Sequence, residues 1–244
     1  LFNEGPKSAL KLAPVAIQYS DDTVVNGFGI LNRYFAQLLA STTQDLTFRE
    51  DLGHIGDVNQ GFSGLQEKYG KERIFDTGIR ELTIIGQGIG LALRGLRPIA
   101  EIQYLDYLLF GLEPLSDDVS TTHFRSFGQQ SVPLIVRTRG HRLEGIWHSG
   151  SPMGMIINSL RGMYVCVPRN MTQAVGMYNT LLQSNDPALM IECLNGYRLK
   201  ERLPSNLTEY RVPLGVPEII KKGTDITIVS YGSMLRIIEE ATEV

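Results

Sequence analysis

The stretch MYVCVPRNMTQAVGMYNTLLQSNDPALMIEC (163–193) reads as strand, helix, strand. MYVCV (163–167) and ALMIEC (188–193) are short unbroken apolar runs, the form strands take when both faces are buried. Between them, 171–183 has the length and spacing of a helix. Such a unit predicts a right-handed crossover between parallel strands. The alternation continues upstream. NGFGILNRYFAQLLAST (26–42) sets Ile30, Leu31, Tyr34, Phe35, Leu38 and Leu39 on one helical face. LTF (46–48), IFD (74–76), PIAEIQ (98–103) and PLIVR (133–137) read as strands, and LQEKYG (65–70), 81–94, 107–126 and 152–160 as helices. The expected fold class is α/β, a parallel sheet covered by helices on both faces.

Residues 1–22 show no sustained period and read as a linker or tail; 23–200 holds the sheet domain. Around 195–224, three prolines and many charges mark a boundary, after which ITIVSYG (226–232) and SMLRIIEEATEV (233–244) begin a new strand and helix. So short a segment cannot close a core of its own, and 201–244 is expected to be a linker and the truncated start of a second α/β domain. The opening Leu1, in place of Met, reads as the mark of a processed or trimmed piece.

Composition removes several classes of function. Twenty-three basic against 26 acidic residues, a net charge of −3, leave no electrostatic footprint for nucleic acid. The longest apolar stretches, such as LTIIGQGIGLAL (82–93), are too short to span a bilayer, and no basic-then-apolar leader opens the chain. A cytoplasmic protein with no membrane partner is expected. Cys166 and Cys193 lie in apolar runs and read as buried free thiols, and no CxxC or Cys/His cluster suggests zinc.

The cluster GQGIG (86–90) fails as a dinucleotide fingerprint because Leu91 stands where glycine is needed and no acidic residue follows at the right distance. Small residues inside a helix serve instead to let another backbone approach. Of four histidines, His148 stands out. It lies in RTRGHRLEGIWHSGSP (137–152), with the only tryptophan, Trp147, in a long loop after a strand's carboxyl end, where open parallel sheets bind ligands. Glu81 opens the glycine-lined helix, where the helix dipole favours a carboxylate by roughly 0.3–1 kcal/mol. Flanked by Ile79 and Leu82, it could equally be desolvated and able to donate a proton at neutral pH. These residues leave both readings open.

Four blocks carry a resemblance: EDLGHIGDV (50–58), GLQEKYGKERIFDTGIRE (64–81), GLRPIAEIQYLDY (95–107) and IWHSGSP (146–152). In order and spacing they resemble the beta subunit of the thiamine-diphosphate-dependent 2-oxo acid dehydrogenase first component, of pyruvate and branched-chain type, over about residues 26–244. The family's glutamate sits in a D-T-x-x-x-E setting, met by Asp76, Thr77 and Glu81. The resemblance implies the thiamine-diphosphate-binding fold, with 23–200 as its transketolase-like pyrimidine-binding domain and 201–244 leading into the transketolase C-terminal domain. It implies decarboxylation of a 2-oxo acid and reductive acylation of a lipoyl carrier. Glu81 would hydrogen-bond a ring nitrogen of the cofactor's pyrimidine, with Glu50, Gln103 and Tyr107 also contacting it. His148 would serve acid/base or electrostatic catalysis near the reacting carbonyl.

The resemblance also implies partners. A diphosphate-binding Gly-Asp-Gly is absent, and Gly56-Asp57-Val58-Asn59 does not supply one. Magnesium and the diphosphate are therefore expected on an alpha subunit or a fused upstream half. A lipoyl-bearing acyltransferase and a second beta domain, in a heterotetramer-like assembly, complete the expected company. A potassium ion is a further implication, at Ile135, Leu181, Leu182, Ser184 and Asp186, with Ser184 in place of the family's Asp. Arg49 stands where the family commonly has Gly, the loop before His148 is shorter than in the best-known members, and Met153 replaces a usual Glu. Two other readings stay open. One is ketol transfer of the transketolase or deoxyxylulose-phosphate synthase kind, with Arg139 and Arg142 meeting a sugar phosphate. The other is a non-catalytic assembly subunit.

Overall fold

The computed structural model describes residues 2–141, 148 and 150–243. In chain order, β1 (Val24–Asn26), α1 (Gly27–Ser41), β2 (Asp45–Phe48), α2 (Leu65–Tyr69), β3 (Ile74–Phe75), α3 (Glu81–Leu93) and β4 (Arg97–Glu101) come first. A helical run then passes from a 3-10 segment (Leu105–Gly111) through α4 (Leu112–Pro114) and a π segment (Leu115–Val119) to α5 (Ser120–Arg125). β5 (Ile135–Gly140), α6 (Met153–Ser159), β6 (Tyr164–Cys166), α7 (Met171–Gln183), β7 (Ala188–Cys193), β8 (Lys200–Arg202) and α8 (Met234–Ala241) follow.

Six strands form one parallel sheet in the order β3-β2-β4-β5-β7-β6, as the alternation of the sequence predicts. β5 and β7 pair from Ile135↔Ala188 to Gly140↔Cys193, the longest register in the sheet. Both faces are covered. Ile135 belongs to a layer with α1 and α7, and its neighbour Val136 to the opposite layer with α3, α6 and the 105–119 run. This period-2 division is what two buried faces require of a strand. All six residues assigned to the inner face of α1 are buried, and Gly27 opens that helix because a Cβ there would lie 2.2 Å from the Gly196 carbonyl oxygen. β1 and β8 pair as an antiparallel ribbon beside the main sheet.

Three expectations meet a different outcome. The helix over 107–126 changes its winding around Pro114, which has no N–H to donate to the preceding turn. In GQGIG, Gly88 takes the Leu134 side chain rather than a backbone, while Gly86 and Gly90 face open space. The stretch 226–232 forms no strand: with no strand beside it among the described residues, it runs along the surface, Ile226 78% and Val229 90% exposed. Only its end docks, Tyr231 stacking on His141 at 4.9 Å and Ser233 Oγ donating to the His141 carbonyl at 2.8 Å. At the other terminus, residues 2–22 make specific contacts: Ala9 is buried and Val15 bridges Arg211. Cys166 and Cys193 are buried free thiols, which burial pushes up to about 12 and about 11. Among the described residues no helix is long and apolar enough to cross a membrane.

Gly27→Ala and Gly90→Ala should therefore move stability in opposite directions under urea denaturation. The first, forced against the Gly196 carbonyl, is expected to cost about 1–3 kcal/mol. The second, in a helix and facing open space, is expected to add about 0.5–1 kcal/mol.

Candidate active site at the carboxyl ends of the strands

The loops after β2, β3 and β4 gather at one end of the sheet, where His148, which follows β5, also lies. Glu50 lies two residues past β2 and is 8% exposed. Asp76 follows β3 and accepts the Gly53 N–H at 2.6 Å, while the Thr77 N–H donates to the Arg49 carbonyl at 3.1 Å, so the 50s loop is tied to the start of α3. Glu81, the first residue of α3, is half-buried. The Glu50 carboxyl is raised, first by burial; its own backbone N–H and the Arg49 guanidinium pull it down, and the charges of Glu81 and Glu101 push it up again. The neighbours expected to desolvate Glu81 do not do so within this chain: Ile79 is 79% and Leu82 50% exposed.

β4 delivers the aromatic side. Gln103, Tyr104 and Tyr107 leave its end together. The Tyr107 hydroxyl and His148 Nε2 share a hydrogen bond at 2.8 Å, and the His148 ring stacks on Tyr104 with centroids 3.9 Å apart and planes 5° from parallel. Tyr104 joins the candidate site through that stack; the sequence analysis did not name it, and its signal was an aromatic three residues before Tyr107, on a turn of helical pitch. Trp147 and Arg142 lie outside the described residues.

Beneath these loops lies a set of buried charges. Arg49, Arg137, Arg139, Asp57, Glu101 and Glu192 have fully buried side chains, three cations against three anions. Glu101 accepts from all three guanidiniums, from Arg139 Nη1 at 2.7 Å. Arg137 Nε donates to Glu192 Oε1 at 2.9 Å, and Asp57 Oδ2 meets Arg139 Nη2 at 2.9 Å and Arg137 Nη1 at 3.3 Å. Tyr197 receives Arg137 Nη2 and Arg139 Nε, both at 2.9 Å, and donates to Glu192, to which Tyr178 also donates at 2.7 Å. The Phe35 and Phe62 rings take the Arg137 guanidinium at 5.4 and 5.0 Å. Burial would push Glu101 up, but the guanidiniums of Arg137, Arg139 and Arg49 prevail and hold its carboxyl well below the usual range. The cluster was not foreseen, although arginines at 137 and 139 within a buried strand were its visible sign.

The chain matches the transketolase, pyrimidine binding domain family over residues 29–198. It belongs to that family. The pyrimidine-binding domain is 33% identical, over 87% of this chain and 65% of the relative, to pyruvate dehydrogenase E1 component subunit beta of Acholeplasma laidlawii. It is 32% identical, over 80% of this chain and 59% of the relative, to 2-oxoisovalerate dehydrogenase subunit beta of Bacillus subtilis strain 168. The chain thus spans about three fifths of the length of these relatives. A solved split-gene transketolase, an inactive beta4 tetramer, superposes with a TM-score of 0.70 over 90% of this chain and 66% of that one, at 18% identity, a likeness of fold.

The geometry revises one expectation about this domain and locates another. Arg139 is wholly buried and bound to Asp57, Glu101 and Tyr197, so it cannot meet a sugar phosphate. The potassium set collects at the opposite end of the sheet, where Ile135 opens β5 and Leu181, Leu182, Ser184 and Asp186 precede β7. Three of its residues hold contacts within the chain. The Ser184 carbonyl accepts from the Arg97 guanidinium, the Leu181 carbonyl from Ser184 N–H and Oγ at 3.0 and 2.9 Å, and the Asp186 carboxylate from the Ala9 N–H at 2.7 Å. Among the described residues no group of three or more His, Cys, Asp or Glu could hold a metal.

Glu101→Gln leaves three buried guanidiniums against two carboxylates. It should cost about 3–5 kcal/mol in denaturant unfolding. Glu81→Gln, on a half-buried helix start, is expected to stay within roughly 0.5 kcal/mol of wild type.

Proposed function

We propose that this chain is the beta part of a 2-oxo acid dehydrogenase first component, which decarboxylates a 2-oxo acid and reductively acylates a lipoyl carrier with thiamine diphosphate as cofactor. The observation that carries the reading is the pairing, at one end of the sheet, of two neighbouring carboxyl groups with an aromatic–histidine unit: Glu50 and Glu81 beside Tyr104, Tyr107 and His148. The names of the relatives support it.

These residues fit the aminopyrimidine end of the cofactor. A flat heteroaromatic ring needs apolar faces and hydrogen-bonding carboxyls around it, and the raised Glu50 carboxyl and the exposed apolar rim of Ile79 and Leu82 supply that chemistry. When bound, thiamine diphosphate supplies the electron sink for decarboxylation. Glu81 holds a proton against a pyrimidine ring nitrogen, and Glu50, Gln103 and Tyr107 orient the ring. His148, braced by the Tyr107 hydroxyl and the Tyr104 face, moves or holds a proton near the substrate carbonyl. Magnesium and the diphosphate fall to an alpha subunit or an upstream half, and that partner also supplies the cover that dries Glu81. A lipoyl-bearing acyltransferase and a second beta domain complete the assembly, which works in the cytoplasm. Residues 201–244 form the linker and the opening of a C-terminal domain, a reading supported by α8, none of whose residues is buried.

The test is 2-oxo acid-dependent dye reduction by the full-length product reconstituted with its diphosphate-binding partner, with and without thiamine diphosphate and magnesium. Glu81→Ala is expected to lower cofactor-dependent turnover on the order of a hundred- to ten-thousand-fold with the fold intact by circular dichroism. Near-normal turnover in that variant, or no turnover with pyruvate and branched-chain 2-oxo acids from a well-formed complex, would overturn the proposal.

A further inference from the structure

We propose that Arg49 is a positioning residue for Glu50: a wholly buried guanidinium, anchored on Glu101, that fixes the backbone and carboxyl of the adjacent glutamate beside Glu81. The inference rests on the proposed function and deepens it.

Arg49 directly follows β2 and is fully buried. Arg49 Nη1 donates to Glu101 Oε1, the atom that also accepts Arg139 Nη1 at 2.7 Å. Arg49 Nε donates to the Glu50 carbonyl at 2.5 Å and lies 4.0 Å from Glu50 Oε1. The same side chain therefore holds its neighbour's main chain and faces that neighbour's carboxyl. Arg49 Nη2 is buried and makes no hydrogen bond, so the guanidinium is not arranged to satisfy itself fully; its directed contacts go to Glu101 and to Glu50. Because Glu101 ends β4 just before Gln103 and Tyr104, Arg49 also links the acidic side of the site to the aromatic side.

The charged groups facing the Glu50 carboxyl are Arg49 on its own segment, Glu81 on α3 and Glu101 on β4, together with its own backbone N–H. Arg49 is the cation among them. Removing it leaves two anions facing a buried carboxyl, which favours the neutral form. Lysine at 49 keeps the charge but loses the fork that reaches Glu101 and the Glu50 carbonyl together.

The experiment measures thiamine diphosphate affinity and the protons exchanged on binding, by isothermal titration calorimetry across pH, on the full-length product reconstituted with its diphosphate-binding partner and magnesium. The wild type is expected to show a step in affinity with pH that disappears in Glu50→Gln. Arg49→Met should move that step to higher pH by on the order of one unit. Arg49→Lys should leave the step near its wild-type position while weakening affinity several-fold. If Arg49→Met fails to fold, Arg49→Met with Glu192→Gln keeps the cluster neutral and should show the same upward movement. A purely structural Arg49 would lower stability in all variants without moving the step, and that result would overturn the inference, as would a step that survives in Glu50→Gln. Binding with an unmoved step refutes the Arg49 role alone. Absence of saturable cofactor binding in the wild type refutes the proposed function and the inference with it.

Discussion

Three guanidiniums and three carboxylates, sealed from water at one end of a parallel sheet, are the constraint on which the rest of this structure depends. Each ion alone would cost several kcal/mol to bury, and the set is tolerable because it is neutral and densely hydrogen-bonded. Arg49 follows β2, Glu101 ends β4, Arg137 and Arg139 lie in β5, and Glu192 lies in β7. Asp57 comes from the loop after β2, and Tyr197 from the turn after β7. The cluster therefore fastens four strand ends and two loops at the level where ligands bind in such sheets. Apolar packing could hold the strands together, but it would not fix the directions in which their loops depart, because it is non-directional. Charged hydrogen bonds have direction, and here they set it.

That division explains what could be read from the chain in advance. The strands and most of the helices were legible because burial on two faces writes unbroken apolar runs and 3.6-residue stripes, as in ALMIEC and in the six inner residues of α1. The long helix was legible as to its place but not its winding, since Pro114 acts on hydrogen bonds rather than on hydrophobic pattern. ITIVSYG has strand composition, yet a strand is defined by its partner, and none is beside it among the described residues. Glu50, Glu81, Gln103, Tyr107 and His148 were named through a resemblance; the residues alone singled out only His148 and Glu81. Tyr104 and the buried cluster escaped because they are relations across the fold, such as Asp57 to Arg139 and Glu192 to Tyr178, of which the local sequence shows at most one partner, as with the two arginines of β5.

The same reasoning separates the two ends of the sheet. At the carboxyl end, cations are spent on carboxylates inside the protein. At the opposite end, Arg97 reaches the last turn of α7, where its guanidinium meets the Ser184 carbonyl and Asn185 Oδ1 at 2.8 Å. A helix carboxyl terminus presents unpaired carbonyls and favours a cation. An internal arginine answers that need, at the entropic advantage of a tethered ligand.

The site is rigid on one side and open on the other, and the two conditions belong together. Glu50 and the aromatic–histidine unit rest on the charge cluster, whereas Glu81 stands among exposed apolar residues at the start of α3. A carboxyl that must keep a proton at neutral pH needs low dielectric around it. Within this chain Glu50 is buried, whereas Glu81 is only half-buried. Under the proposed function, the partner's cover would meet Ile79 and Leu82, the exposed apolar residues on either side of Glu81. A carboxyl whose surroundings were completed only by assembly would then act only in the complex, which would confine the proposed chemistry to it.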